Sequence, residues 1–319
     1  MLPPAVALMG PTASGKTALA MELAQRFPLD IISVDSAMVY RGMDVGTAKP
    51  DAKERARAPH RLIDVADPCE AYSAARFRED ALREMRAVAG SGRIPFLVGG
   101  TMLYFRALLN GIAALPEADP RVRARLAREA EEQGLAALHA RLRRVDPASA
   151  ARIHPNDPQR IQRALEVHAL TGRSLTALHR EAAGRAAPYR VLKLAIATPD
   201  RARLHARIER RFRRMLEDGL IEEVRALRKG GDIEPDLPAM RAVGYRQVND
   251  YLDGRCDYED MVAKAVTATR RLAKRQLTWL RSESEVIWLS GDGGGLDEAA
   301  ERIYAHLQGV GPQGLPSDP

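Results

Sequence analysis

Gly10-Pro11-Thr12-Ala13-Ser14-Gly15-Lys16-Thr17 matches the phosphate-loop pattern G-x-x-x-x-G-K-[ST] at every fixed position. Its flanks agree with it. Ala5–Met9 is a short apolar run that reads as a buried strand, and Thr17–Arg26 has the spacing of a helix leaving the loop. Such a loop turns successive backbone N–H groups toward one point, and the helix behind it adds the positive end of its dipole. Lys16 supplies a mobile cation, and the Thr17 hydroxyl a ligand for Mg²⁺. These eight residues predict a polyphosphate site and leave open whether it serves a nucleotide such as ATP or another diphosphate.

Working outward, residues 1–117 alternate apolar runs with helical stretches, the signature of βαβ units and a parallel sheet. A second strand is expected over Asp30–Ser36 and a third over Ile94–Thr101. Between them Ala74–Val88 places Phe77, Ala81, Leu82 and Met85 on one helical face. From residue 118 to 187 no strand is expected, only Arg-rich helical segments broken by Gly134, Pro147, Pro155 and Gly172. The clearest begins with Asp157 as N-cap and Pro158 at the first helical position, buries Ile161, Leu165 and His168, and stops at Gly172.

The sheet pattern returns over Tyr189–Ala197 within residues 188–319. Thr198-Pro199 is expected to open a long basic helix with Leu204, Ile208, Phe212 and Met215 inward. Tyr258–Leu280 reads as another long helix, burying Met261, Val262, Ala265, Val266, Leu272 and Leu277. Glu285–Leu289 reads as a last strand, and the Gly/Pro-rich tail beyond Leu307 as disordered. The expected fold is therefore α/β, a P-loop NTPase-like parallel sheet flanked by helices, with an all-helical insertion domain.

Composition narrows the classes. Of 319 residues, 45% are hydrophobic and 29% charged, the balance of a soluble globular chain. No apolar run approaches the roughly 20 residues of a membrane span. The N-terminus lacks the basic region of a signal peptide, and the two cysteines, Cys69 and Cys256, are far apart. A cytoplasmic monomer without a disulfide framework is expected. The formal charge is +7, and its placement is uneven. Pro120 to Arg185 holds thirteen Arg, no Lys and seven acidic residues, a surplus of six positive charges. That concentration makes the insertion a candidate nucleic-acid surface.

Phosphate-loop hydrolases place an Asp at the end of a later strand to help hold Mg²⁺. Here the corresponding strand ends Val98-Gly99-Gly100-Thr101, with no acid, which argues against a motor ATPase or a GTPase switch. The acid is Asp35, ending the second strand. In an open α/β sheet, ligands bind outside the carboxyl ends of the strands, so Asp35 should face the loop across a cleft. A carboxylate there can take a proton from an incoming nucleophile. A strand-end cap or an indirect Mg²⁺ contact is the blander role. Two enzyme classes fit these residues: a small-molecule kinase using Asp35 as base, and a group transferase whose loop holds a diphosphate leaving group.

The chain resembles the tRNA dimethylallyltransferases, or isopentenyl-tRNA transferases. The resemblance rests on an ordered set of stretches: 10–17, Ile32–Pro50, Pro59–Leu62, Leu97–Phe105, His154–Arg160, Arg241–Gln247 and Ala273–Arg281. The set covers nearly the whole chain. It implies transfer of a dimethylallyl group from dimethylallyl diphosphate to the exocyclic amine of the tRNA adenine immediately 3′ of the anticodon. Asp35 then corresponds to the general base, Thr17 to a Mg²⁺ and diphosphate ligand, and Arg211 to a diphosphate contact beside Lys16. The positions corresponding to tRNA contacts are Asp35, Ser36, Ala37 and Met38, Thr101, and Arg123. Further along they are Gln159, Arg160, Ile161, Gln162 and Arg163, then Arg241, Ala242, Val243, Gly244, Tyr245 and Arg246. The last group is Lys274, Arg275, Gln276, Leu277, Thr278, Trp279, Leu280 and Arg281. Some larger members carry a C-terminal zinc finger; the Gly/Pro-rich end here resembles the compact bacterial form.

Each basic element has a plainer reading beside this one. Arg160 and Arg163 sit near Glu166 on one helix and suit a surface ion-pair row. Arg270, Lys274 and Arg281 form a stripe that solvation alone would explain. Arg207 and Arg211 are four residues apart, an unfavourable pairing unless an anion lies between them. Trp279 reads as a packing residue. His60, His154 and His168 lack metal-ligand spacing and read as structural.

Overall fold

The computed structural model describes residues 2–182, 186–229, 237–291 and 295–309. The chain divides into two compact units, Met1–Phe105 with Pro188–Pro319, and Arg106–Ala187. The first is built on six parallel strands: β1 (Pro4–Met9), β2 (Leu29–Val34), β3 (His60–Arg61), β4 (Ile94–Gly99), β5 (Arg190–Ala197) and β6 (Val286–Ser290). Their order is β3-β2-β4-β1-β5-β6, with helices covering the sheet. This is the α/β, P-loop NTPase-like architecture. The first strand in sequence is central, Leu8 lying opposite Val98 of β4 and Leu194 of β5. Strands buried on both faces explain the unbroken apolar runs Ala5–Met9 and Phe96–Val98.

That order brings the ends of β1, β2 and β4 together. The phosphate loop, Asp35 and Thr101 emerge from three adjacent strands. The approach of β4 to β2 is close: a Cβ on Gly99 would lie 2.1 Å from the Val34 carbonyl oxygen. Only glycine fits there. On one face of the sheet, Leu19, Leu23, Ile31, Phe96, Leu194, Leu289 and Ile303 form a hydrophobic core.

The second unit contains five helices among the described residues, Pro120–Gln133, Leu135–Val145, Pro147–Arg152, Pro158–Thr171 and Leu175–Ala182. It has its own core of Leu126, Leu138, Leu142, Ile161, Ala164 and Leu165. The Asp157 side chain accepts from Arg160 N, Pro158 opens the helix, and Gly172 ends it in the left-handed conformation at φ 67°.

Several boundaries and faces differ from expectation. The basic helix runs Arg201–Glu217, starting after Thr198-Pro199, because the Asp200 carboxylate accepts from Ala202 N and Arg203 N and caps it. Leu82, Met215, Leu272 and Leu277 are only half-buried. Along the helix Tyr258–Arg281 the buried stripe passes instead through Ala273 and Leu280, as the 3.6-residue period dictates. His168 is half-buried, and the positions around it that seal the core are Ala164, Leu165 and Val167. The two-residue strand β3 was too short to show a period. The tail expectation falls mainly on residues 310–319, outside the described residues.

Candidate active site

The phosphate loop begins where β1 ends. A Cβ on Gly10 would meet Ile196 O at 2.7 Å and Ser14 Oγ at 2.8 Å, so the turn admits no side chain. Ala13 and Gly15 both adopt positive φ, 63° and 91°. The helix Lys16–Arg26 that follows has Gly15 as N-cap, no side-chain cap and no acid in its first turn. Elsewhere Ser73, Asp119, Asp157, Asp200 and Asp257 supply that cap. The helix that would receive a phosphate thus leaves its N-terminal donors unclaimed by any side chain. The buried Ser14 hydroxyl has no hydrogen-bond partner among the described residues. An anion in the cradle would satisfy such groups.

Lys16 Nζ lies 3.4 Å from the Pro11 carbonyl oxygen. Desolvation pulls its ammonium down to about 8; the Asp35 carboxylate opposes that shift and the Arg211 guanidinium adds to it. Burial likewise lowers Arg211, again against Asp35. Two half-buried cations and one half-buried carboxylate thus lie close enough to feel one another's charge. Arg211 also donates to the Thr47 carbonyl at 3.4 Å. Its neighbour four residues back, Arg207, turns instead to the Thr198 hydroxyl at 2.8 Å. A cleft of about 310 Å³ opens on the β5–β6 side of the loop, lined by Ser14, Glu22, Ile196, Arg207 and Ser290 among others.

Asp35 stands just past β2. Its Oδ1 accepts from Ala37 N at 2.9 Å and Met38 N at 3.3 Å, which fixes the carboxylate over the turn that follows. Oδ2 receives no hydrogen bond from the described residues. Thr101, at the end of β4, accepts from Ser36 N at 3.0 Å and joins the two strand ends. Gln276, from the helix Tyr258–Arg281, reaches across both. Its Oε1 accepts from Thr12 N and its Nε2 donates to Gly100 O, each at 2.9 Å.

The remaining expected contacts separate by environment. In the sheet unit Ser36, Arg241, Arg246, Lys274, Arg275, Thr278 and Arg281 are exposed, whereas Ala37, Met38, Ala242, Val243, Leu277 and Trp279 are half-buried. Gly244, Tyr245 and Leu280 face the core. In the helical unit Gln159 and Arg160 are exposed, Ile161 is buried, and Gln162 donates to Arg123 O. Glu166 is fully buried there, receiving Arg123 at 2.9 Å, Arg163 at 2.7 Å and the Asp119 N–H at 3.0 Å. The expected surface row is thus a buried carboxylate between two half-exposed arginines. Arg160 pairs separately with Asp157. Arg270 is held by Glu209, which breaks the expected stripe, while Lys274 and Arg281 remain exposed.

The IPP transferase family model matches residues 38–283, and an isopentenyl transferase model matches residues 4–62. The chain belongs to the IPP transferase family. A tRNA dimethylallyltransferase of Thioalkalivibrio sulfidiphilus is 61% identical to this IPP transferase over 318 residues, 98% of this chain and 99% of that one. The crystal structure of a full-length tRNA isopentenylpyrophosphate transferase from Bacillus halodurans is 39% identical, covering 96% of each chain, with a TM-score of 0.70. A Staphylococcus epidermidis tRNA isopentenylpyrophosphate transferase is 34% identical, covering 96% of this chain and 99% of that one, with a TM-score of 0.68. These matches decide between the two classes the loop left open, in favour of the transferase. No helix among the described residues of this IPP transferase is long and apolar enough to cross a membrane.

Sequence reasoning missed one side chain that organises this site and one bridging role. Gln276, expected as a tRNA contact, also joins the loop to β4 through its amide. Glu223, considered below, carried no motif at all.

Proposed function

We propose that this chain transfers the dimethylallyl group of dimethylallyl diphosphate to the exocyclic amine of the tRNA adenine immediately 3′ of the anticodon. The observation that carries the mechanism is the convergence of Lys16, Arg211 and Asp35 beside an uncapped helix N-terminus. The diphosphate lies on the 10–17 cradle, where Lys16, Arg211, Thr17 and the loop amides meet the charge that develops on the leaving oxygen. As the nitrogen–carbon bond forms, the allylic carbon–oxygen bond breaks and pyrophosphate keeps the electron pair. The amine is a poor nucleophile because its lone pair is delocalised into the ring. Asp35 Oδ2 accepts its proton, offsetting that weakness.

No group of three His, Cys, Asp or Glu among the described residues could hold a metal ion. The donors present suit Mg²⁺ arriving with the diphosphate, with the Thr17 hydroxyl as protein ligand; when bound it neutralises charge on the phosphate oxygens.

Candidate contacts for the tRNA anticodon stem-loop are exposed basic residues: Arg160 of the helical unit and, separately, Lys274, Arg275 and Arg281 of the sheet unit. A target base that leaves its stack can then reach Asp35. The helical unit Arg106–Ala187 serves as an RNA-binding insertion, and the cytoplasm, where its tRNA is found, is the compartment. Incubation with Mg²⁺, labelled dimethylallyl diphosphate and unmodified tRNA should give prenylated adenine and free pyrophosphate. Failure to label any cognate tRNA would overturn the reading.

A further inference from the structure

The loop that carries Thr47 is gripped by two consecutive helices. From Arg201–Glu217, Arg211 donates to the Thr47 carbonyl. From Leu220–Lys229, Glu223 accepts from the backbone N–H groups of the same turn: Asp44 at 2.9 Å, Val45 at 2.7 Å and Gly46 at 3.1 Å. Its fourth donor is the buried Tyr245 hydroxyl at 2.5 Å. One carboxylate thus closes three consecutive main-chain donors, an arrangement that requires a negative charge with two accepting oxygens.

The rest of the loop is anchored around the donors that Glu223 holds, which leaves their position to that carboxylate. A Cβ on Gly46 would lie 2.5 Å from the Tyr245 ring. On the far side Lys49, its side chain 2% exposed, binds Tyr40 O, Asp44 and Asp64. Thr47 turns its hydroxyl back to Met43 O at 2.7 Å. The carbonyl that Arg211 uses is the free end of this bracket. Arg211 has surrendered solvation in reaching it, so an error in that carbonyl's position becomes an error in the guanidinium's.

We infer that Glu223 is a positioning residue for diphosphate binding: by fixing the 44–46 turn, it sets the Thr47 carbonyl that aims Arg211 at the leaving group. The inference rests on the reading of Arg211 as a diphosphate contact. Glu223 touches no substrate. In Glu223→Gln one accepting oxygen becomes an NH₂ group facing N–H donors, so the turn must shift.

The test is steady-state kinetics with tRNA saturating, together with calorimetric binding of inorganic pyrophosphate. Glu223→Gln should raise KM for dimethylallyl diphosphate about tenfold, with kcat and the KM for tRNA within about twofold. On an Arg211→Ala background the same change should add nothing, the sign of two residues acting as one unit. Tyr245→Phe, which removes one donor of four, should shift KM in the same direction by about two- to threefold and keeps the test alive if Glu223→Gln does not fold. Glu222→Gln, on the exposed side of the helix, should change nothing. An unchanged pyrophosphate affinity in folded Glu223→Gln or Tyr245→Phe would overturn the inference, as would an equal KM rise with and without Arg211. If Arg211→Ala itself left pyrophosphate binding intact, the reading of Arg211 would fail, and this inference with it.

Discussion

Gln276 accepts a hydrogen bond from the Thr12 amide at 2.9 Å, joining residues 264 apart in sequence. The same side chain holds Gly100 O, and a Cβ on Gly100 would lie 2.6 Å from its nitrogen. Gln276→Leu leaves one donor and one acceptor unmatched, a loss of about 1–3 kcal/mol. The expected result is a lower thermal midpoint and a raised KM for dimethylallyl diphosphate. Saturating diphosphate should recover part of the midpoint, because it binds only the folded form.

Asp35→Asn preserves the carbonyl oxygen that accepts from Ala37 N and Met38 N, so the turn should stay intact. What it removes is proton acceptance. Turnover should fall by about 10²–10⁴-fold while the dissociation constant for tRNA changes little. A single-turnover assay beside a filter-binding titration separates the two.

Lys16 carries its full charge only below about 8 in the free protein. As pH rises through that value the ammonium is lost, and KM for dimethylallyl diphosphate should climb by up to about tenfold per pH unit. Bound diphosphate favours the charged form, so calorimetry above pH 8 in buffers of different ionisation enthalpy should record proton uptake. The effect on folding has the opposite sense. Between about 8 and 10.5 the unfolded chain keeps a proton that the native lysine has lost, so this group's contribution to stability rises with pH across that window.

Glu166 contributes with the same sign at lower pH. Burial alone would raise its pKa, yet hydrogen bonds from Arg123 and Arg163 and the Asp119 N–H hold it below the ordinary carboxylate value. Its contribution is therefore present above about 4.5 and lost as pH falls through the lowered native value. Glu166→Gln should destabilise the helical unit by about 1–3 kcal/mol at neutral pH and flatten its acid dependence. Thermal melts at pH 7 and pH 4 measure both effects.

Arg160 and Lys274 are exposed in different units. Replacing either by Gln should weaken tRNA binding and reduce the slope of log affinity against log salt by about one counterion each. An unchanged slope would mark that residue as a solvated surface charge.

The loop, the strands flanking it and the place of Asp35 at a strand end were legible because each signal is local: a fixed spacing, an apolar run, a polar residue ending a strand. The cap at Asp157 and the stop at Gly172 were legible for the same reason. The bonds of Gln276 to the loop and of Glu223 to the 44–46 turn were not, since those partners lie 176–264 and 177–179 residues away and local sequence carries no signal of such pairings. The inward turn of Glu166 was hidden by its spacing from Arg163, which a solvent-exposed pair would share.

Because β1 is seated between β4 and β5, and the cradle beyond it is tied to Gln276, a strand made early finds its neighbours only when much later segments follow. Residues 10–17 must wait until residue 276 is made for the side chain that steadies them. A nascent or truncated chain lacking its last long helix should therefore be an inert one, and anion capture a late event of biosynthesis.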